Sequence, residues 1–482
     1  MTQAINIKIR NDFNRGMIDQ DAVSDSLLPD NAVRLALNVN LNRPIGSVKQ
    51  RNGTTALGSA IVSNETILGL HDFRITNNVL LAAINETGDA SSTIYKYSSG
   101  TWSSSLTGQT ASLKSRFLTY LNAVAVLNGT DAIKSWTGTG SWTITGGALD
   151  VANFPRGSFA VVFNSRVFTS IASTLYYSSI PSSGSISWTS GNGDIDIQVN
   201  DGAGDITSAY VLGRQLIIFK ERAMYRWDGY STDANPLIFI GTPSHESVAG
   251  DSYGNVYFFG TGESTVGIYK TQGGRPIRIS KAIQGWIDAM SASSYTNTAG
   301  YCDKDNYYLT VGNITYKGRT YTNVMFVYNL TEETWTIRSY ADDFRVFTMY
   351  LDNSAITYVG GDTDGNVQTI DSGTTDNGTP IYSEIEFREI FTSRARTKQI
   401  NQFFSYATNF QGSKISIKID DEDYIGLGSI KEKEQKFDFL EKEAIIGKVF
   451  YFKIICANSQ APFIFDGLEF TYINDLGYGN YK

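Results

Sequence analysis

Cysteine and histidine are almost missing from this 482-residue chain, which has two of each. Cys302 and Cys456 stand far apart in strand-like settings, which argues against a disulfide framework and reads as two buried free thiols. Two histidines cannot build a multi-histidine metal site, and two cysteines about 150 residues apart lack zinc-ligand spacing. His71 and His245 are each followed by a carboxylate, Asp72 and Glu246. Neighbours on a strand point to opposite faces, so neither pair is expected to act as a dyad. Apolar runs of membrane-spanning length are absent, and the start "MTQAINIKIRNDF" has no apolar core of a secretion signal. The expectation is a soluble chain with no membrane-spanning segment, in which the sequons at Asn52, Asn128 and Asn329 serve as turn chemistry. An excess of basic residues is missing too: the formal charge is -8, which argues against a protein that reads DNA sequence by neutralising phosphates.

What is abundant is aromatic and glycine: 28 Tyr, 26 Phe and 45 Gly, with only 18% charged residues. That mixture favours pleated strands joined by tight turns. The stretch "NVMFVYNLTEETWTIRSY", 323 to 340, alternates apolar and polar residues, breaks at Asn329 to Thr334, and resumes through Trp335 and Ile337. Tyr328 precedes the turn and Trp335 follows it. "STIYKYSSGTWSSSL" repeats the arrangement with Tyr95 and Trp102, "AIKSWTGTGSWTIT" with Trp136 and Trp142, and "TLYYSSIPSSGSISW" with Tyr176 and Trp188. "FKERAMYRWDG" supplies Tyr225 and Trp227, and "VGIYKTQGG" supplies Tyr269. These landmarks return about every 40 to 50 residues, the period of four-stranded propeller blades. A blade cannot bury both faces alone and must stack on its neighbours, so a bulky ring at a fixed place in each one wedges the gap between blades. These eleven aromatics are therefore the expected blade-packing residues.

The fold expected is all-β: a β-propeller of six to seven blades over 59–378, preceded by an N-terminal segment, 1–58, and followed by a β-sandwich, 379–482. The turn-rich "GTTDNGTP" marks the second boundary. Beyond it, strands such as "SKISIKIDD" and "KVFYFKIICAN" alternate strictly without the Trp landmark, as in a separate sandwich. The run "KEKEQKFDFLEKE" reads as the solvated face of a strand. Two short helices are expected. "LLPDNAVRLALNV" would be capped by Asp30, with Ala32, Leu35, Ala36 and Val39 on one face, and "SKAIQGWIDAM" would be capped by Ser280.

Chemistry is sparse. No nucleophile elbow, phosphate loop or dinucleotide fingerprint occurs. "GDTDGN", with Asp362, Asp364 and Asn366, has calcium-like spacing but no closing Glu. "DKDN" at 303–306 and "DDED" at 420–423 are equally partial. Such residues also make tight turns by local hydrogen bonds, which is the preferred reading. No catalytic residue, cofactor or metal site is assigned, and an enzyme is not expected.

The segments "NDFNRGMIDQDAVSDSLLPDNAVRLALNVNLNRPIGSVKQRNGTTALG", "LIIFKERAMYRWDG", "VYFFGTGESTVGIYKTQGGRPIRISKAIQGWI" and "VMFVYNLTEETWTIRSY" together resemble the propeller proteins of short-tailed bacteriophages, known as tail hub, nozzle or packaged-DNA stabilisation proteins. The resemblance covers most of the chain in order. It implies a virion tail component assembled in the host cytoplasm, forming a homohexameric ring around the DNA channel and helping retain and eject the genome. Its partners would be portal, adaptor and other tail proteins, with non-specific contact to passing double-stranded DNA. The chain departs from that pattern in carrying no basic tract for portal docking. The alternative reading is a host-surface carbohydrate-binding or carbohydrate-cleaving propeller, whose many Tyr and Trp would stack on sugars.

Overall fold

The computed structural model describes residues 4–9, 13–19, 27–75, 78–352, 355–389, 397–439, 445–458 and 461–475. The charge run at 431–443 is described only as far as residue 439, and the start of the chain only in pieces.

Among the described residues seven antiparallel blades follow one another around a ring; blades 1 to 5 are sheets of their own, and blades 6 and 7 belong to one 15-stranded sheet. Blade 1 comprises Ile67–Arg74, Asn78–Asn85, Ser92–Ser98 and Thr101–Gln109. Blade 2 comprises Arg116–Tyr120, Ala123–Leu127 and Lys134–Trp136, with a single bridge, Ser135 to Thr143, in place of a fourth strand. Blades 3 and 4 span Ala160–Phe163 to Gly193–Asp196 and Ile206–Leu212 to Asn235–Ile238. Blade 5 runs from the short Ala249–Gly250 to Ile277–Arg278, and blade 6 from Ala299–Cys302 to Thr334–Ser339. Blade 7 has Phe344–Asp352, Ala355–Asp362 and Val367–Ile370, and its outer strand is Thr54–Ala56.

Local chemistry explains the hairpins. Leu121 and Asn122, and Asn164 and Ser165, all have positive φ, the backbone of a two-residue turn whose twist matches its flanking strands. Second strands such as Ala123–Leu127 and Gln215–Lys220 are buried almost throughout, because each blade is covered on both faces by its neighbours. First strands of successive blades touch, except that the blade 4 strand meets the 3-10 turn His245–Ser247 of blade 5, and that of blade 7 packs on that of blade 1, which closes the ring.

The strand at Thr54–Ala56 changes the expected organisation. Read from sequence as the end of a separate N-terminal segment, it completes the last blade. Gly53 is squeezed into the seam: its N–H reaches Gly373 O at 3.1 Å, and a Cβ there would lie 1.8 Å from Thr375 O.

The expected helix around 30–39 is instead the strand Ala32–Leu37, buried at every position. It pairs antiparallel with Thr379–Phe387 and, at Leu37, parallel with Ile337 of blade 6. Burial on both faces erased the alternation that marks a strand, leaving an apolar run that reads as a helix. No helix follows Asp30, which forms an ion pair with Arg388. The second expected helix is present as the 3-10 turn Ser280–Ile283 running into Gln284–Asp288. Ser280 does not cap it; its hydroxyl accepts the Ile268 N–H at 3.1 Å.

The C-terminal strands form a sandwich. One sheet orders Ile425–Ser429, Ser413–Ile419, Phe450–Asn458, Thr379–Phe387 and Ala32–Leu37. The other centres on Lys398–Thr408 and Ile464–Asp475, extended by Val48–Gln50, Val39–Leu41 and Ala4–Ile9. Phe403, Phe452 and Phe470 meet between them at centroid distances of 5.1 to 5.7 Å. The sandwich is not a separate unit: through Ala32–Leu37 its first sheet continues into blade 6, and one apolar core runs through both.

Candidate functional site

The wedge residues fall at the joints between blades. Tyr95 and Trp102 pack into the cluster joining blades 7 and 1, and Trp136 and Trp142 into that joining 1 and 2. Tyr176 and Trp188 serve the 2/3 joint, Tyr225 and Trp227 the 3/4 joint, Tyr269 the 4/5 joint, and Tyr328 with Trp335 the 5/6 joint. Trp136 and Trp142 stack at 5.9 Å, and Tyr328 meets Trp335 at 4.8 Å. Four indoles reach back to the preceding blade or the segment leaving it. The Nε1–H of Trp102 donates to Leu57 O at 2.9 Å, Trp142 to Ser105 Oγ at 2.9 Å, Trp188 to Leu149 O at 3.2 Å and Trp335 to Ile279 O at 3.0 Å. An indole suits this place because it fills a gap with a flat apolar plate and satisfies its one donor at the far side. The 6/7 joint uses none of the expected residues. Tyr301 stacks there on Tyr308 at 4.5 Å, beside Phe344, Phe347 and Tyr358.

Charged side chains from distant blades meet at the propeller axis. Arg116, on the first strand of blade 2, forms a two-point pair with Glu246, on the 3-10 turn that opens blade 5, at 2.8 and 3.1 Å. Blades 2 and 5 stand three steps apart, the largest separation in a ring of seven. Lys114 adds a second tie, donating to Arg345 O of blade 7 at 2.9 Å. The pair lines a cavity of about 230 Å3 together with His71 and His245. Burial alone would raise the Glu246 carboxyl, but the Arg116 and Lys114 cations outweigh it and hold it at about 2. Burial pushes both imidazoles down to about 4 and the Lys114 ammonium to about 8. His71 stacks on Phe117 and hydrogen-bonds Thr119, while His245 stacks on Phe159. Both rings are thus neutral at pH 7, and neither is paired with its sequence neighbour in these contacts.

A second cluster clasps the N-terminal strands to the rest. Arg51, fully buried, uses all five of its N–H donors: two on Asp376, at 2.6 and 2.7 Å, and one each on Asn38 Oδ1, Asn52 O and Ser339 O. Its guanidinium lies 4.0 Å from the Tyr340 ring centre. Asn38 accepts the Ser339 N–H and donates to Tyr382 O at 2.7 Å. One arginine therefore joins the N-terminal segment, blade 6 and the strand leading into the sandwich.

The acidic loops are turns. Asp362 Oδ1 accepts the N–H groups of Asp364 and Asn366, and its Oδ2 those of Asn366 Nδ2 and Gln368 Nε2. Asp303 accepts from Asp305 and Asn306 and from the Tyr308 hydroxyl, and Asp420 from Lys448 and Val449. Asn128 and Asn329 make the same local turns, each accepting two backbone N–H groups. Among the described residues no group of three or more His, Cys, Asp or Glu could hold a metal ion, and no helix is long and apolar enough to cross a membrane. Neither Cys302 nor Cys456 is in a disulfide, and the Cys456 thiol donates to Gln411 O at 3.7 Å.

The sequence missed the axial pair and the clasp, whose partners lie 130 and 325 residues apart. Neither pairing leaves a local pattern. No family model matches the chain, and no curated protein matches it in sequence. Among solved structures it is similar to YCF48 bound to a D1 peptide (TM-score 0.40, 10% identity, 66% of this chain and 94% of that one). It is also similar to an ancestral GH74 enzyme (TM-score 0.43, 8% identity, 72% of this chain and 51% of that one). At such identities no residue role carries over.

Proposed function

We propose that the chain is a structural protein of a short-tailed bacteriophage tail, a hub or nozzle protomer that forms a ring, six copies around, enclosing the DNA channel and helping to retain and eject the genome. Its site would be the virion, attached to portal, adaptor and other tail proteins. The observation that carries this reading is the bridged axis. Arg116 and Glu246 reach across the axis and tie blades 2 and 5, as befits a block that transmits load. DNA would pass through the centre of the ring of copies rather than through a propeller. A formal charge of -8 suits such a wall, because repulsion keeps phosphates from being gripped.

Native mass measurement of the full chain with portal complex, and imaging of intact particles, test the proposal. A closed ring of copies located below the portal is expected. A chain that stays monomeric or trimeric with portal present, and contributes no density to the tail, would overturn it in favour of the host-surface carbohydrate reading. Saccharide affinity alone does not separate the two.

A further inference from the structure

Four asparagines in the chain precede glycine: Asn52, Asn128, Asn192 and Asn377. Asparagine is thermally labile. The pairing with glycine sharpens this, because glycine has no Cβ to screen its backbone nitrogen from the side-chain carbonyl that precedes it. The fold treats the four differently. The Asn128 amide is held by three hydrogen bonds: its Oδ1 accepts the Thr130 and Asp131 N–H groups at 3.0 and 2.8 Å, and its Nδ2 donates to Asp131 at 2.7 Å. After Asn52, Gly53 is sealed into the blade 7 seam, with the Thr375 carbonyl where a Cβ would go. After Asn192, Gly193 pairs with Tyr177, and a Cβ there would lie 2.2 Å from the Tyr177 hydroxyl.

Asn377 is under none of these constraints. It is exposed, its side-chain amide has no hydrogen-bond partner among the described residues, and nothing lies within 4 Å of the place a Gly378 Cβ would take. The two residues make the turn between Thr375–Asp376 and Thr379–Phe387, both at positive φ. The Gly378 N–H meets the Thr375 hydroxyl at 3.1 Å rather than a ladder carbonyl. The same turn belongs to the clasp. Asp376 is the buried partner of Arg51, and the Asn377 N–H donates to Thr54 O at 3.0 Å, on the strand that completes blade 7.

We propose that Asn377 is a site of spontaneous deamidation and that its conversion loosens the clasp. The Gly378 amide nitrogen attacks Asn377 Cγ: a C–N bond forms, the bond from Cγ to Nδ2 breaks, and ammonia leaves with the amide proton. Water then opens the resulting cyclic imide at either carbonyl. One product is aspartate. The other is isoaspartate, which adds one carbon to the main chain just after Asp376. Both place a new negative charge beside the Asp376 carboxylate, and isoaspartate also displaces the turn that presents Asp376 to Arg51 and the Asn377 N–H to Thr54. The closing seam of the ring of blades thus carries a change that accumulates with time after folding, whatever assembly the chain belongs to.

Incubation of the full chain at mildly alkaline pH and 37 °C, followed by peptide mass mapping and denaturant unfolding, tests it. Asn377 is expected to convert first, about tenfold faster than Asn52, Asn128 or Asn192, and the aged protein to unfold at lower denaturant than the fresh protein. Asn377→Gln should abolish that drift; aged and fresh samples of the variant are compared with each other, so any cost of the substitution itself cancels. Asn377 left intact in the folded chain, conversion no faster than at Asn128, an unfolding midpoint that stays fixed while Asn377 is consumed, or a drift that persists in Asn377→Gln would overturn the proposal.

Discussion

Blades 1 to 4 and blades 5 to 7 are built from the same repeat but held differently. The first four are self-contained sheets, joined mainly by small clusters such as those around Trp136 and Trp227. Blade 6 and the sandwich share strand Ala32–Leu37, blade 7 borrows Thr54–Ala56 from the same N-terminal segment, and a core that also takes in Tyr257 and Phe259 of blade 5 runs through the junction. A repeat array is stable through nearest-neighbour contacts; stitching one side of the ring to the sandwich adds long-range ties that a mutation there releases together.

The clasp gives the sharpest break. Arg51→Ala leaves Asp376 buried without its partner and removes the five hydrogen bonds joining three parts of the chain, a loss of about 3 to 5 kcal/mol by chemical denaturation. A loss below about 1 kcal/mol would mean the stitched half does not depend on its buried pair. Next come the indoles. Trp335→Ala and Trp142→Ala each remove a large wedge, costing about 3 to 5 kcal/mol. Trp335, 1% exposed against 8% for Trp142, should cost more. Native-state hydrogen exchange should show Trp142→Ala loosening blades 1 and 2 alone, and Trp335→Ala lowering protection across blades 5 to 7 and the sandwich. Identical exchange patterns would erase the distinction between the halves.

The smallest effect is at the axis, which belongs to both halves. The folded pKa of His71 and of His245 lies near 4, below the ordinary 6.5. As pH falls from 6.5 to 4 the unfolded chain takes up protons that the folded chain refuses, so stability drops across that window, by roughly 2 kcal/mol per ring. His71→Gln and His245→Gln should flatten the fall. Glu246, held at about 2, contributes stability present above its ordinary 4.5 and lost between 4.5 and 2. An unfolding midpoint that does not move between pH 6.5 and 4 would contradict the burial of these groups.

The blade repeat was legible because Trp and Tyr mark joints with a period of their own, and the joints at Trp102, Trp142, Trp188 and Trp335 follow it. The 6/7 joint escaped notice because its Tyr301 and Tyr308 lie on the first two strands of blade 6 rather than beside the outer turn. Ala32–Leu37 was misread as helical because a strand buried on both faces carries no period of two. Thr54–Ala56 is three residues long, too short to show a pattern, and its partner at Val367–Ile370 is more than 300 residues away. The clasp was invisible for the same reason: chain separation hides a contact that only the closed ring creates. The shared place of His71 and His245 on the axis depends on the order of the blades, which no local pattern carries.

The ring's last seam has a consequence during synthesis. Thr54–Ala56 leaves the ribosome early, yet the edge it must pair with is made some 310 residues later. Until then the strand's backbone donors and acceptors bond only to water, so ring closure awaits translation through Ile370, and that edge is where a stalled chain is most prone to pair with the wrong neighbour.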